Sequence, residues 1–437
     1  MWCARRTRSG RRPAASQEAP LPSGPRPRAE AWAKCRRRER RCCLERTPAR
    51  VTYVSADGDG SMPTCSRRLA ARLGVPEFRT GVWLRTVKDL DAPTLSLATF
   101  RALREDARLV WELNSLGGVL HLSHHHLGRY GLFLARPFLI TVHDVIRYLD
   151  LAGGEPLIQP LNARERLFLR LDYAGIRRAL RVVAVSDHTG RDVVRHLGVP
   201  EERVRVVYNG VDHDLYRPVR GPRPIPDPYV LFVGAEHPRK NLKALLRAFA
   251  LLKRGGRFRR LKLLKVGRAG NPEDYFRRPV EEEIRRLRLR GEVIFAGRVP
   301  PERMPLYYAN AEALAFPSLY EGFGLPPLEA MACGCPVVAS EASAVPEVVG
   351  EAALLADPRD PAALAGALGR VLSDGELRRD LRRRGMARAA LFTWERAARE
   401  TREVYAEVLE ELSRRRRALR DLALPGEAAY TQERSLS

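Results

Sequence analysis

From Val51 onward, short apolar runs alternate with longer amphipathic ones. "VTYVSA" reads as a strand; a turn with Gly58 and Gly60 follows it, then a helix through "SRRLAARLG". "LHLSH", "FLITVHDV" and "RVVAVSD" are strands ending in polar residues, "DHTGRDVVRHLGV" is a helix, and "VRVVYNGVD" is a strand and turn. Residues 217–228, "RPVRGPRPIPDP", have linker composition. The alternation then restarts. "YVLFVGA", "RLKLLKVG", "VIFAG", "ALAFPS" and "PVVAS" are strands. "NLKALLRAFALL", "PVEEEIRRLRLRG", "PLYYANAEA", a run from Pro327 and "PAALAGALGRVL" are helices. Strands alternating with helices predict parallel sheets covered on both faces. Two such runs predict an α/β chain of two doubly wound domains facing a central cleft, one over 49–216 and one over 229–390. Ligands in such sheets bind at the carboxyl ends of the strands.

The stretch "YEGFGLPPLEAMACGCPVV", residues 320–338, adds chemistry. Glu321 and Glu329 flank a Gly-Pro turn that opens a helix, with Glu329 placed in its first turn. Free amides there suit an anion. The carboxylates suit hydroxyl groups on the same ligand, which together describe a nucleotide-sugar. Arg239 and Lys240 follow a strand end and precede a helix, an arrangement that suits a diphosphate. A solvated basic turn is the plainer alternative for that pair, and a helix-dipole contact the plainer one for Glu329.

The net charge is +25 over 437 residues, and residues 1–50 hold 15 Lys/Arg against 4 Asp/Glu. Residues 1–48 are therefore expected to be a disordered basic arm with no secretory-type apolar core. No apolar run reaches the roughly 18 residues of a membrane helix. Seven cysteines, an odd count, predict a reducing compartment rather than disulfides. Cys42/Cys43 and Cys333/Cys335 lack zinc-site spacing. The protein is placed in the cytoplasm, with peripheral contact to an anionic inner membrane surface as a further expectation.

"VGAEHPRKN", "FPSLYEGFGLPPLEAMACGCPVVAS", "VVAVSDHTGRDVVRHLGVPEERVRVVYNGVD" and "TVHDV" resemble family 4 of the retaining glycosyltransferases, which have the two-Rossmann GT-B architecture. The resemblance spans roughly residues 51–410. It implies transfer of a hexose, of mannose or glucose type, from a UDP- or GDP-linked donor to a glycan or lipid-linked acceptor, without metal or other cofactor. It places Arg239 and Lys240 at the leaving diphosphate beside Gly234. Ala235 stands where many relatives carry an arginine, and Arg239 takes that part. Glu329 matches the ribose ligand. Glu321 lies beside the donor sugar, with Gly322, Phe323, Gly324 and Leu325 giving backbone contacts. Gly297, Arg298 and Val299 match the base-reading loop, and His143 covers the sugar from the other wall. His143, Glu321, Arg239 and Lys240 are the catalytic candidates, and Asp144 orients its surroundings. The resemblance also makes 391–415 a closing helix that crosses back to the first domain, with 416–437 a tail.

"HLSHHH", His121 to His126, reads either as a loop near the acceptor, which is preferred, or as an imidazole metal site. Two other function classes stand beside the transferase. One is a nucleic-acid binder acting through the basic residues, although no binding motif accompanies them, so no nucleic-acid partner is expected. The other is a sugar phosphorylase of similar architecture, for which no pyridoxal-binding lysine context is present.

Overall fold

The computed structural model describes residues 51–423, apart from Asp57, Asp59 and 81–96. The basic arm expected over 1–48 lies outside the described residues. The described chain builds two six-stranded sheets, and every recorded strand pair is parallel. The first contains β1 (Val51–Ser55), β2 (Glu77–Arg79), β3 (Val119–Leu122), β4 (Phe138–Val142), β5 (Arg181–Ala184) and β6 (Val204–Val206), in the order β2-β1-β3-β4-β5-β6. The second contains β7 (Tyr229–Val233), β8 (Lys262–Val266), β9 (Val293–Gly297), β10 (Ala313–Phe316), β11 (Val337–Ser340) and β12 (Leu354–Ala356), in the order β12-β11-β10-β7-β8-β9. Both are doubly wound. In the second sheet the winding reverses between β7 and β10, so the loops after those two strands open side by side at the switch point.

The period-two pattern of the strands divides their side chains between two faces. In the first sheet, Val54, Leu120, Ile140 and Val182 join one buried cluster. Val51, Tyr53, Val119, Leu139 and Val183 join the other, together with Trp394, Ala397, Tyr405 and Val408 of the last helix, Trp394–Ala423. The last helix thus covers the first sheet. Arg72–Glu395 and Arg205–Glu407 ion pairs, at 2.5 and 2.9 Å, line its edges. It runs on to Ala423, past the expected end at 415. The arginine-rich stretch 414–417 belongs to a regular helix with i,i+4 partners in Glu410 and Glu411.

Cys65, Cys333 and Cys335 are free and buried. No helix among the described residues is long and apolar enough to cross a membrane.

Candidate functional site

The switch point gathers three of the predicted residues. Pro238–Lys240 form a single 3-10 turn after β7. Asn241 ends the turn in the left-handed region (φ 55°), and its side-chain amide donates to Pro317 O (3.1 Å) and Pro358 O (2.5 Å). The Leu319 amide donates to Arg239 O at 2.7 Å. These bonds tie the turn to the loop after β10, where Glu321 lies. Arg239 Nη1 reaches Glu321 Oε2 at 2.9 Å and Tyr320 O at 3.1 Å, and Lys240 Nζ reaches Glu321 Oε1 at 2.5 Å. Burial pushes the Glu321 carboxyl up, but the two cations outweigh it and hold the group down at about 2. Burial pulls Lys240 below the ordinary lysine value, against the opposing pull of Glu321.

The next residue joins the two sheets. Ser186 Oγ and Thr189 Oγ1, at the start of the first-domain helix Asp187–Leu197, donate to Gly322 O at 2.6 and 3.0 Å. A Cβ on Gly322 would lie 1.7 Å from His143 O, so only glycine permits this approach. Nearby, the amides of Asp187 and His188 both donate to the Glu347 carboxylate at 2.9 Å. His143 meets the loop after β10 through its backbone. Its ring is buried, and Nε2–H donates to Ser123 O at 3.2 Å. Burial lowers its pKa, which keeps the imidazole neutral. Asp144 accepts the Ile146 amide at 3.0 Å and so fixes the start of the next helix.

A cleft of about 850 Å³ opens beside this junction. Arg268, Arg298, Leu325 and Glu329 line one wall, and Ser61, Cys65 and Arg68 of the helix Ser61–Leu73 line the other. Gly297 is left-handed (φ 63°), its carbonyl accepts the Gly267 amide at 2.7 Å, and Val299 packs on the core. The Tyr308 hydroxyl donates to Glu329 Oε2 at 2.7 Å, and Tyr216 bonds the same carboxylate. Burial raises the Glu329 carboxyl above its usual range, and the two phenols only partly offset this. The cleft therefore takes Arg298, Leu325 and Glu329 from the predicted set. Arg239, Lys240, Glu321 and His143 lie in the packed junction instead.

Two local expectations are corrected. The helix begins at Leu325, not Pro327, so Glu329 stands in its second turn and not its first. With Pro326 and Pro327 inside the first turn, two of the four amides that a helix start leaves open do not exist. The amides left open at this helix start are then those of Gly324 and Leu325. The Phe323 ring itself packs against Tyr208 and Phe392, with centroids 6.1 and 5.9 Å away.

The histidine cluster is likewise not a loop, since His121 lies in β3. His125 opens a 3-10 helix, His125–Leu132, that packs on the helix Ala163–Ile176. His121, His124 and His125 are buried. His121 bonds Tyr405 and Thr141 at 2.7 and 2.8 Å, and burial brings it down to about 3. Among the described residues no group of three or more His, Cys, Asp or Glu side chains could hold a metal ion.

Sequence reasoning did not single out Tyr216, Tyr308, Thr189, Glu347 or Lys265. Only Lys265 left a signal, a charge near the end of the apolar strand "KLLKV".

Comparison with known proteins follows the same division of the chain. Residues 44–215 match the family description "Glycosyltransferase Family 4", and residues 219–388 match "Glycosyl transferases group 1". The MMP alpha-(1->4)-mannosyltransferase of Mycolicibacterium hassiacum is 33% identical over 72% of this chain and 75% of its own. O-antigen chain mannosyltransferase B of Escherichia coli is 36% identical over 51% of this chain, which spans only 60% of that relative. The sucrose-phosphate synthase of Thermosynechococcus elongatus, at 24% identity, superimposes with a TM-score of 0.64 over 83% of this chain and 99% of that one. HepE of Anabaena, solved with UDP-glucose, gives 0.64 at 19% identity over 82% and 99%. The two parallel sheets, the carboxylates of 320–338 at their meeting point and these matches agree: the chain belongs to the family 4 glycosyltransferases and has the GT-B fold.

Proposed function

We propose that the protein moves a hexose, with mannose the first candidate, from a UDP- or GDP-linked donor to a glycan or lipid-linked acceptor, with retention at the anomeric carbon. The observation that carries this reading is the junction of Glu321 with Arg239 and Lys240 at 2.9 and 2.5 Å, where Gly322 abuts His143 between the sheets. The names of two relatives, both mannosyltransferases, favour mannose. Glu329 would accept from the ribose hydroxyls, Gly297 to Val299 would face the base, and Arg239 and Lys240 would face the diphosphate, beside Gly234. The bond from the anomeric carbon to the phosphate oxygen breaks, and its electron pair stays on the diphosphate. Cations already in place stabilise that charge as it develops. The acceptor oxygen bonds the anomeric carbon on the same face, and its proton passes to the leaving phosphate. Glu321 borders the sugar, and neutral His143 covers it from the first domain.

The acceptor is read as membrane-linked or polymeric, reached from the cytoplasm, with the basic surface holding the enzyme at an anionic leaflet. No nucleic-acid partner enters this reading. Thermal shift with UDP, GDP, ADP and their sugars tests it. A rise in Tm with one nucleotide and its sugar supports the assignment, and no rise with any of them rejects it. Neutralisation of the diphosphate is given to side chains, so turnover should survive EDTA. Loss of turnover, restored by manganese or magnesium, would reject that part.

A further inference from the structure

Lys265 lies in β8, one residue before its end, with no side-chain exposure. A buried ammonium is costly unless every proton finds an acceptor, and here each does. Nζ donates to Gly267 O at 2.7 Å, to Arg268 O at 2.9 Å and to Glu236 Oε1 at 2.8 Å. Glu236 is equally buried, and Arg277 grips both of its oxygens at 2.8 to 3.1 Å. Burial lowers the Lys265 pKa, and Glu236 opposes the shift.

The two carbonyl bonds have a directional consequence. In a trans peptide the C=O and the following N–H point opposite ways. Pulling Gly267 O and Arg268 O toward the ammonium turns the amides of Arg268 and Ala269 away from it. Neither amide has a hydrogen-bond acceptor among the described residues. This loop lies between the ends of β7 and β9. Gly267 packs so tightly that a Cβ there would come 2.7 Å from Gly234 O, and the Arg268 side chain lines the same cleft as Arg298 and Glu329.

Resting on the donor site described above, we propose that Lys265 is a positioning residue. It holds the loop 267–269 so that the Arg268 and Ala269 amides face the nucleoside end of the donor. Glu236 keeps the ammonium in place, and Arg277 balances Glu236.

The test compares Lys265→Met and Arg277→Met in the full chain, with GDP, UDP and pyrophosphate as calorimetric probes. Binding of GDP or UDP by the wild type is the control. If neither binds, the donor reading itself has failed, not the role of Lys265. Given binding, Lys265→Met should weaken the nucleotide about tenfold, the effect of losing about one hydrogen bond to a charged or strongly polar group. Pyrophosphate binding should not change. Arg277→Met touches neither carbonyl, so it should lower Tm and leave nucleotide affinity within about twofold, well inside the effect of one such bond. Equal loss of affinity in both variants, or equal loss for pyrophosphate, overturns the proposal. Hydrogen exchange on the wild type covers the case in which Lys265→Met does not fold. The Arg268 and Ala269 amides should gain protection when nucleotide is added, and no gain overturns the proposal.

Discussion

Two glutamates eight positions apart carry opposite electrostatics, and each sets its own pH behaviour. Glu321 is held at about 2 in the folded chain, below the ordinary 4.5. Its stabilisation is complete above 4.5 and is lost as pH falls toward 2. Glu321→Gln leaves two buried cations without their anion, a change of about 3–5 kcal/mol for buried pairs. The variant should melt well below wild type at neutral pH, and the two curves should converge as pH approaches 2. A gap that ignores pH would reject the assignment. Glu329 runs the other way. Burial raises its folded pKa above 4.5, so stability falls as pH rises from 4.5 through the raised value. Glu329→Gln should therefore raise the Tm of the free protein at pH 7, with the gain vanishing below pH 4.5. Nucleotide affinity should fall about five- to tenfold, the difference between charged and neutral acceptors. A lower Tm with unchanged affinity would sink both halves of the argument. The charges themselves were legible in "YEGFGLPPLEA"; their partners Tyr216 and Tyr308 were not, because they are distant in sequence and tyrosine carries no spacing rule.

Among the elements, the strands were legible because each is a short apolar run with a polar end. β2 and β12 were missed: "EFR" and "LLA" are three residues long, too short for a period to show. The helices Ala163–Ile176 and Gly375–Ala389 were passed over because their arginines mask the apolar stripe. The start at Leu325 was misplaced because proline fits any position of a first turn. The loop after β10 shows what element packing adds. Gly322→Ala puts a Cβ 1.7 Å from His143 O and 2.8 Å from Asp144 Cβ, so the loop must back away from the first domain. An overpacking strain of about 1–3 kcal/mol should lower Tm modestly. Turnover should fall by about a hundredfold, as a displacement of roughly an ångström does. Nucleotide binding at Glu329 should persist. Full turnover in the variant would separate this contact from the chemistry.

At the scale of the whole molecule, the two sheets meet through polar contacts as well as packed side chains. Interfaces of that kind inside one chain permit relative motion, and the cleft must open to exchange its ligands. Glu347 is the most specific of these contacts. From the second domain it accepts both leading amides of the helix Asp187–Leu197, at 2.9 Å each, and its Oε2 lies 3.1 Å from the Tyr208 hydroxyl. It acts as a helix cap supplied by the other half of the protein, and cap removal costs about 0.5–2 kcal/mol. Glu347 lies outside the cleft lining, so its loss should act on the pose of the domains rather than on the ligand groups. Glu347→Ala should shift the free protein toward a more open pose, seen as a larger radius of gyration by small-angle scattering. Saturating nucleotide should restore much of the compaction, because the ligand itself bridges the halves. The free energy spent on closing then appears in the donor KM, which should rise about two- to thirtyfold for that range of cap energies. The kcat of the closed complex should change little. A variant with the wild-type radius and KM would show that Glu347 caps its helix without influencing how the two domains close.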